Sequence, residues 1–201
     1  MDKFRNEVNK SLLLVPEKGK IIFALLTCEK LYSNYVFFSK ATNWGNSATL
    51  LMGTSLVYQY LIHDLYNLEA IKQAIIDVDN VTPDTEDFPG ILTSFALDAC
   101  TSVHSTLKFL VDRNVEHLID VATYARDTVY MFLQETLSAN LVSSDIEYQI
   151  ENDKLLIAEK TRQFSLIEIL QKSDLSLITN SFISGLKNND PIIDLSLLSL
   201  K

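Results

Sequence analysis

Apolar residues recur at helical spacing along nearly the whole chain, and strand-like alternation is confined to its end. Phe4, Val8 and Leu12 mark one face of an opening helix that stops before Pro16, a residue suited to the first turn of the next helix. The second helix is strongly apolar through Ile21, Ile22, Leu25, Leu26, Cys28 and Tyr32. It is expected to end near Ser33, with Asn43 to Asn46 read as a turn. Asn46 or Ser47 can cap the third helix, whose apolar face runs through Leu50, Leu51, Val57 and Leu61. After a bend near His63, Leu68, Ile71, Ile75 and Ile76 carry a further face.

Pro83, Asp84, Asp87, Pro89 and Gly90 are helix breakers and turn formers, so residues 80–90 are placed in an exposed connection. Two well-patterned helices follow, one through Leu92, Phe95, Ala99, Val103 and Leu107, the other through Leu118, Ala122, Ala125, Val129 and Phe132. They are expected to form a tight antiparallel pair. From Ser144 the pattern predicts one or two charge-laced helices and then a shorter one over 175–186. The stretch from Pro191 to Leu200 alternates in a way that suits an extended tail on its own core, or on a partner. With no linker and no fixed-period repeat, the chain reads as all-α, a single-domain bundle of seven to nine helices across residues 1–201.

Composition narrows the picture. Five Gly and four Pro are too few for a many-stranded sandwich or barrel. The 201 residues can bury roughly 70% of the unfolded chain's surface, so no staple is needed. Cys28 and Cys100 have no CxxC spacing and fit a reducing cytoplasm. The apolar run Leu12 to Val15 is too brief for a signal-peptide core. The uncharged stretch from Ala41 to Ile62 is interrupted by Asn, Ser, Thr and Gln, and reads as a buried helix rather than a membrane span. With 17 basic and 26 acidic residues the formal charge is -9, which disfavours nucleic acid and favours solubility, basic protein partners or cations.

The acids are unevenly placed. Between Gln73 and Leu107 lie Asp77, Asp79, Asp84, Glu86, Asp87 and Asp98 with no Lys or Arg among them. Close carboxylates repel, so such a loop needs hydration, a cation or a basic partner. Asp98 stands apart as a lone acid on an apolar helix, where it must find hydrogen bonds or become protonated. The bland expectation is a cap or a bond to the Asn34/Tyr35 turn; the sharper one is ligand contact. Glu29 follows Cys28 on an apolar helix and is a candidate ion-pair partner of Arg126. Trp44, after Tyr35, Phe37 and Phe38, either covers a helix end or anchors a partner.

Catalytic and cofactor signatures are missing from the sequence. Tyr60, Thr101 and Asn114 stand three residues before the histidines, so no Glu-x-x-His pair exists, and no His-Glu-x-x-His occurs. The acidic loop lacks the glycine and terminal Glu of an EF-hand. Cys100 and His104 share a helix face, but a Cys beside Ala99 and Val103 reads as a small core residue. No phosphate loop, dinucleotide fingerprint or nucleophile elbow is present. Neither a metal nor a cofactor is expected.

Four segments carry a family resemblance. They are Phe23 to Tyr35, with Cys28-Glu29-Lys30 and Asn34-Tyr35; Pro83 to Phe88 followed by Ala96 to Cys100; Asp127 to Val129 with Phe132 to Gln134; and Glu159 with Gln163-Phe164. In order and spacing they resemble the YjaG-like family, a bacterial domain of unknown function. The departures are Lys30 for Arg, Ser33 for Pro, and Asn46 in a turn where the family shows Gly-Asp. The resemblance spans residues 20–170, without the tail, and implies an all-helical cytoplasmic bacterial protein with no established activity. Glu29, Asn34, Tyr35, Trp44, Asp84, Glu86, Asp87 and Asp98 are the candidate contacts. The expected role is non-enzymatic, by contact with a protein partner or a second copy, without nucleic acid or membrane. Two alternatives stay open. One is an immunity-type neutraliser of a basic toxin. The other is a small-molecule or cation-binding protein, or a hydrolase, using an acidic cleft of Asp98 with Asp84 and Asp87.

Overall fold

The computed structural model describes residues 2–137, 143–188 and 190–198, and among these nine α-helices and one 3-10 turn form an all-helical bundle. The helices are α1 (Lys3–Leu13), α2 (Glu17–Thr42), α3 (Ser47–His63), α4 (Leu68–Asn80), α5 (Ile91–Asp112), α6 (Glu116–Leu137), α7 (Ser143–Glu151), α8 (Lys154–Lys172) and α9 (Asn180–Leu186). α2 is the central element. Thirteen of its 26 residues are buried, from Gly19 to Phe38, and α3, α5, α6 and α8 all pack on it. By length and composition alone α2 could cross a membrane, but here its apolar surface is covered by its neighbours.

Local chemistry sets the boundaries. The Asp2 carboxylate accepts from the Phe4 amide at 3.0 Å and caps α1, and Asn46 and Asn67 cap α3 and α4 by accepting from Ala48 and Ala70. Asn43, Asp64 and Arg113 end α2, α3 and α5 in the left-handed conformation. The Arg113 guanidinium then lies over the Tyr60 and Tyr66 rings, 5.4 and 5.7 Å from their centroids, and pairs with Glu17 at 3.2 Å. At the other side Arg126 fastens α1 to α6, with Asp2 at 2.6 Å and the Phe4 ring at 4.9 Å.

Three expectations change. α2 continues past Ser33 to Thr42, because Tyr35 and Phe38 are fully buried against neighbouring elements and extend its packed face. α3 is not a buried helix. Leu50, Gly53, Val57 and Leu61 are its only buried residues, while Leu51 and Met52 are 50% and 66% exposed. The helix expected over 175–186 starts only at Asn180, capped by the Thr179 hydroxyl. The tail packs on its own core through Ile192, Ile193 and Leu198; its Asn189, Ser199, Leu200 and Lys201 lie outside the described residues.

Tyr35 clasps three segments together. Its hydroxyl donates to the Val81 carbonyl at 2.7 Å and accepts from the Asn46 amide at 3.3 Å, joining α2 to the turns before α3 and after α4. Gly45 makes this approach possible. It has φ 80°, and a Cβ there would sit 2.3 Å from the Tyr35 hydroxyl. Gly45→Ala is therefore expected to lower stability by about 2 kcal/mol, read as an earlier urea midpoint with unchanged helical circular dichroism.

Candidate functional site

The acidic loop is ordered by its own backbone. The Asp84 carboxylate accepts from the Glu86 amide at 2.8 Å, and the Asp84 carbonyl accepts from the Phe88 amide at 3.0 Å. This turn leaves Asp84, Glu86 and Asp87 exposed and folds Phe88 back onto Trp44, with ring centroids 5.0 Å apart, and onto Phe38 at 5.5 Å. Trp44 is thus half-buried and covers the end of α2. Asp77 accepts from Gln73 at 2.9 Å, and Asp79 faces His104 at 3.3 Å.

Asp98 does not join these acids in a cleft. It lies two turns into α5, 8% exposed, and accepts from the Thr128 hydroxyl of α6 at 2.7 Å. Nor does it bond an Asn34/Tyr35 turn, since both residues lie within helix α2. Burial pushes the Asp98 carboxyl up to about 7, offset in part by the Thr128 bond and reinforced by the neighbouring charge of Asp127. The other proposed chemistry also separates. Burial pushes the Cys100 thiol up to about 12, while His104 turns to Asp79 instead. Burial likewise raises Cys28 to about 12, with Thr106 at 3.2 Å. Neither thiol is a ready nucleophile, and no metal-binding cluster occurs among the described residues.

Glu29 pairs with a residue that sequence spacing did not single out. Its Oε1 accepts from Lys187 at 3.0 Å and from the Tyr58 hydroxyl at 2.8 Å, whereas Arg126 is occupied by Asp2 and Asp127. Asn34 is 1% exposed, and neither end of its amide has a hydrogen-bond partner among the described residues. Nearby on α8, buried Glu159 holds Arg162 through two bonds of 2.7 Å and accepts from Gln163 at 2.8 Å. Glu29, Lys30, Arg162 and Lys187 line a cleft of about 480 Å³ between α2, α8 and the chain after α9. Lys187 comes from the far end of the chain, so no spacing rule on α2 could have found it.

A second concavity, about 580 Å³, runs between α3 and α4. Met52 and Leu56 lie on one wall, Ala70, Ala74 and Asp77 on the other, and Val81 at the end where the acidic loop begins.

These helices recur in known proteins. The sequence model described as "Protein of unknown function (DUF416)" matches residues 7–193. The chain belongs to the DUF416 family. It is similar to the uncharacterized protein YjaG of Escherichia coli (strain K12), 24% identical over 188 residues, covering 87% of this chain and 88% of the relative. The YjaG protein of Salmonella typhimurium is 24% identical over 185 residues, with 83% and 90% covered. A crystal structure of a DUF416 family protein from Shewanella baltica OS155 superposes with TM-score 0.76 at 23% identity, covering 92% of this chain and 91% of that one. The DUF416 match extends beyond the motif-bearing residues 20–170 into the tail.

Asp98 makes a measurable prediction. A carboxyl near 3.8 in the unfolded chain and near 7 when folded binds its proton more tightly in the native state. Its contribution is fully present below pH 3.8 and is lost as pH rises to about 7, a cost on the order of 4 kcal/mol. Asp98→Asn keeps an acceptor for Thr128 and removes the titration. The difference in unfolding free energy between variant and wild type should therefore grow from pH 4 to about pH 7 and then level off.

Proposed function

We propose that this protein acts by binding a protein partner, and that the partner lays a basic amphipathic helix into the groove between α3 and α4. The observation that carries this reading is α3 itself. None of its 17 residues is Asp, Glu, Lys or Arg, yet most of them are not buried. Surface helices of isolated proteins normally carry charge on the outer face, and charge is depleted at the centres of protein interfaces. Met52 and the partly buried Leu56 provide the apolar contacts in the groove, and the flexible thioether of Met52 adapts to a packed surface.

Charge selects the occupant. Asp77 lines the groove, Asp79 follows it, and Asp84, Glu86 and Asp87 extend the same sign from its end with no Lys or Arg between Gln73 and Leu107. A helix with Leu or Ile on one face and Lys or Arg on the other meets both features. The net charge of -9 opposes polyanionic partners such as nucleic acid. The buried free thiols of Cys28 and Cys100 support a cytoplasmic setting.

The test is a titration with a short amphipathic helical peptide bearing Leu on one face and Lys on the other, followed by amide chemical shifts. Shifts should concentrate on α3, α4 and residues 81–87, affinity should fall with added salt, and Met52→Glu should weaken binding about tenfold. Shifts elsewhere, or binding indifferent to Met52→Glu, would overturn the reading. So would a concentration-dependent dimer abolished by the same variant, which would make a second copy the occupant.

A further inference from the structure

The cleft between α2, α8 and the chain after α9 gathers three bases beside two acids, Glu29 and Asp190. In a chain with 26 acids and 17 bases, Lys30, Arg162 and Lys187 all line one concavity of about 480 Å³. The three cations are not equally engaged. Lys187 is bonded to Glu29, and Arg162 spends Nε and Nη2 on the two oxygens of Glu159. Arg162 Nη1, on the edge of the guanidinium away from Glu159, makes no hydrogen bond among the described residues.

Lys30 is the more telling group. Its ammonium donates to the side-chain oxygen of Asn188 at 2.9 Å and to the Asp190 backbone carbonyl, and it makes no ion pair among the described residues, although the Glu159 and Asp190 carboxylates act on it from farther away. Burial first, and then the Arg162 guanidinium, hold it below the usual lysine range. Beside the carboxylates of Glu159 and Asp190, Lys30 and Arg162 each keep N–H groups without a partner among the described residues, and a bound anion can accept from both. Beside them, Leu26, Leu166 and Ile169 supply an apolar wall, and Ser33 and Ser165 supply hydroxyls. The volume falls within the range of small-molecule sites, and the mixture of apolar wall and a few convergent polar groups is what such sites use.

We infer that this cleft binds a small organic anion, its carboxylate or phosphate seated between Lys30 Nζ and Arg162 Nη1 and its apolar part on Leu26, Leu166 and Ile169. The site uses different residues from the α3–α4 groove and stands whether or not a protein partner binds there. The Glu29, Lys187 and Tyr58 contacts act as its lip, tying the chain after α9 to α2. Glu159 acts as a positioning residue, because the two hydrogen bonds it accepts from Arg162 fix the direction of the Nη1 edge.

The experiment titrates the full-length protein with hexanoate and with inorganic phosphate, by calorimetry and by amide chemical shifts. At least one probe should bind with shifts centred on Lys30, Ser33, Arg162 and Ser165, and added salt should weaken it. Hexanoate binding alone assigns the headgroup as a carboxylate, and phosphate binding alone assigns it as a phosphate. Lys30→Gln should weaken binding about tenfold or more, whereas Lys30→Arg, which restores the charge, should stay within about threefold of wild type. No shift at the cleft with either probe, or equal affinity in Lys30→Gln when its unfolding curve matches wild type, would overturn the assignment.

Discussion

An apolar helix with almost no outward face must be surrounded, and α2 imposes that requirement on this molecule. From Ile21 to Cys28 every residue is buried, on all sides of the helix. A stripe can be covered by one neighbour, but a full circumference needs several. α5, α6, α3 and α8 take those places, and α1, α4 and α7 fill the outer spaces between them. The charged clasps of Arg113 and Arg126 lie at the edges of this arrangement and fix orientation more than they supply stability.

The same circumstance explains what could be read from the sequence. α1, α5 and α6 carry clean one-sided stripes, so their spans are legible, and the cap of α3 is narrowed to Asn46 or Ser47, of which the structure uses Asn46. α2 lost its periodicity because Val36, Phe37 and Phe38 continue an apolar run with no polar face to mark the turn of the helix. α3 misled in the opposite sense. The absence of charge points to burial, while the structure leaves Leu51 and Met52 exposed. Composition distinguishes charged from uncharged, and only packing distinguishes buried from exposed.

Side-chain partners follow the same division. That Asp98 needed a donor could be read from its apolar surroundings, but Thr128 lies on another helix and its choice depends on how α5 packs on α6. Acids that are neighbours in sequence, Asp87 and Asp98, end in different environments because Gly90 starts a helix between them. Conversely, Lys30, Arg162 and Lys187 are far apart in sequence and meet in one cleft. The motif residues Glu29 and Glu159 each hold one of these cations, and neither was assigned that partner from spacing.

The position of α2 in the chain also bears on how the protein is made. Synthesis delivers this central helix before α5, α6 and α8, elements that bury it, have left the ribosome. α3 alone reaches it promptly, and Gly53 of that helix awaits Val103 of α5 for its own close contact. A nascent chain halted anywhere before α5 therefore displays α2 as a sticky cylinder, a natural client for a holding chaperone. The burial of this early helix waits on helices made after it.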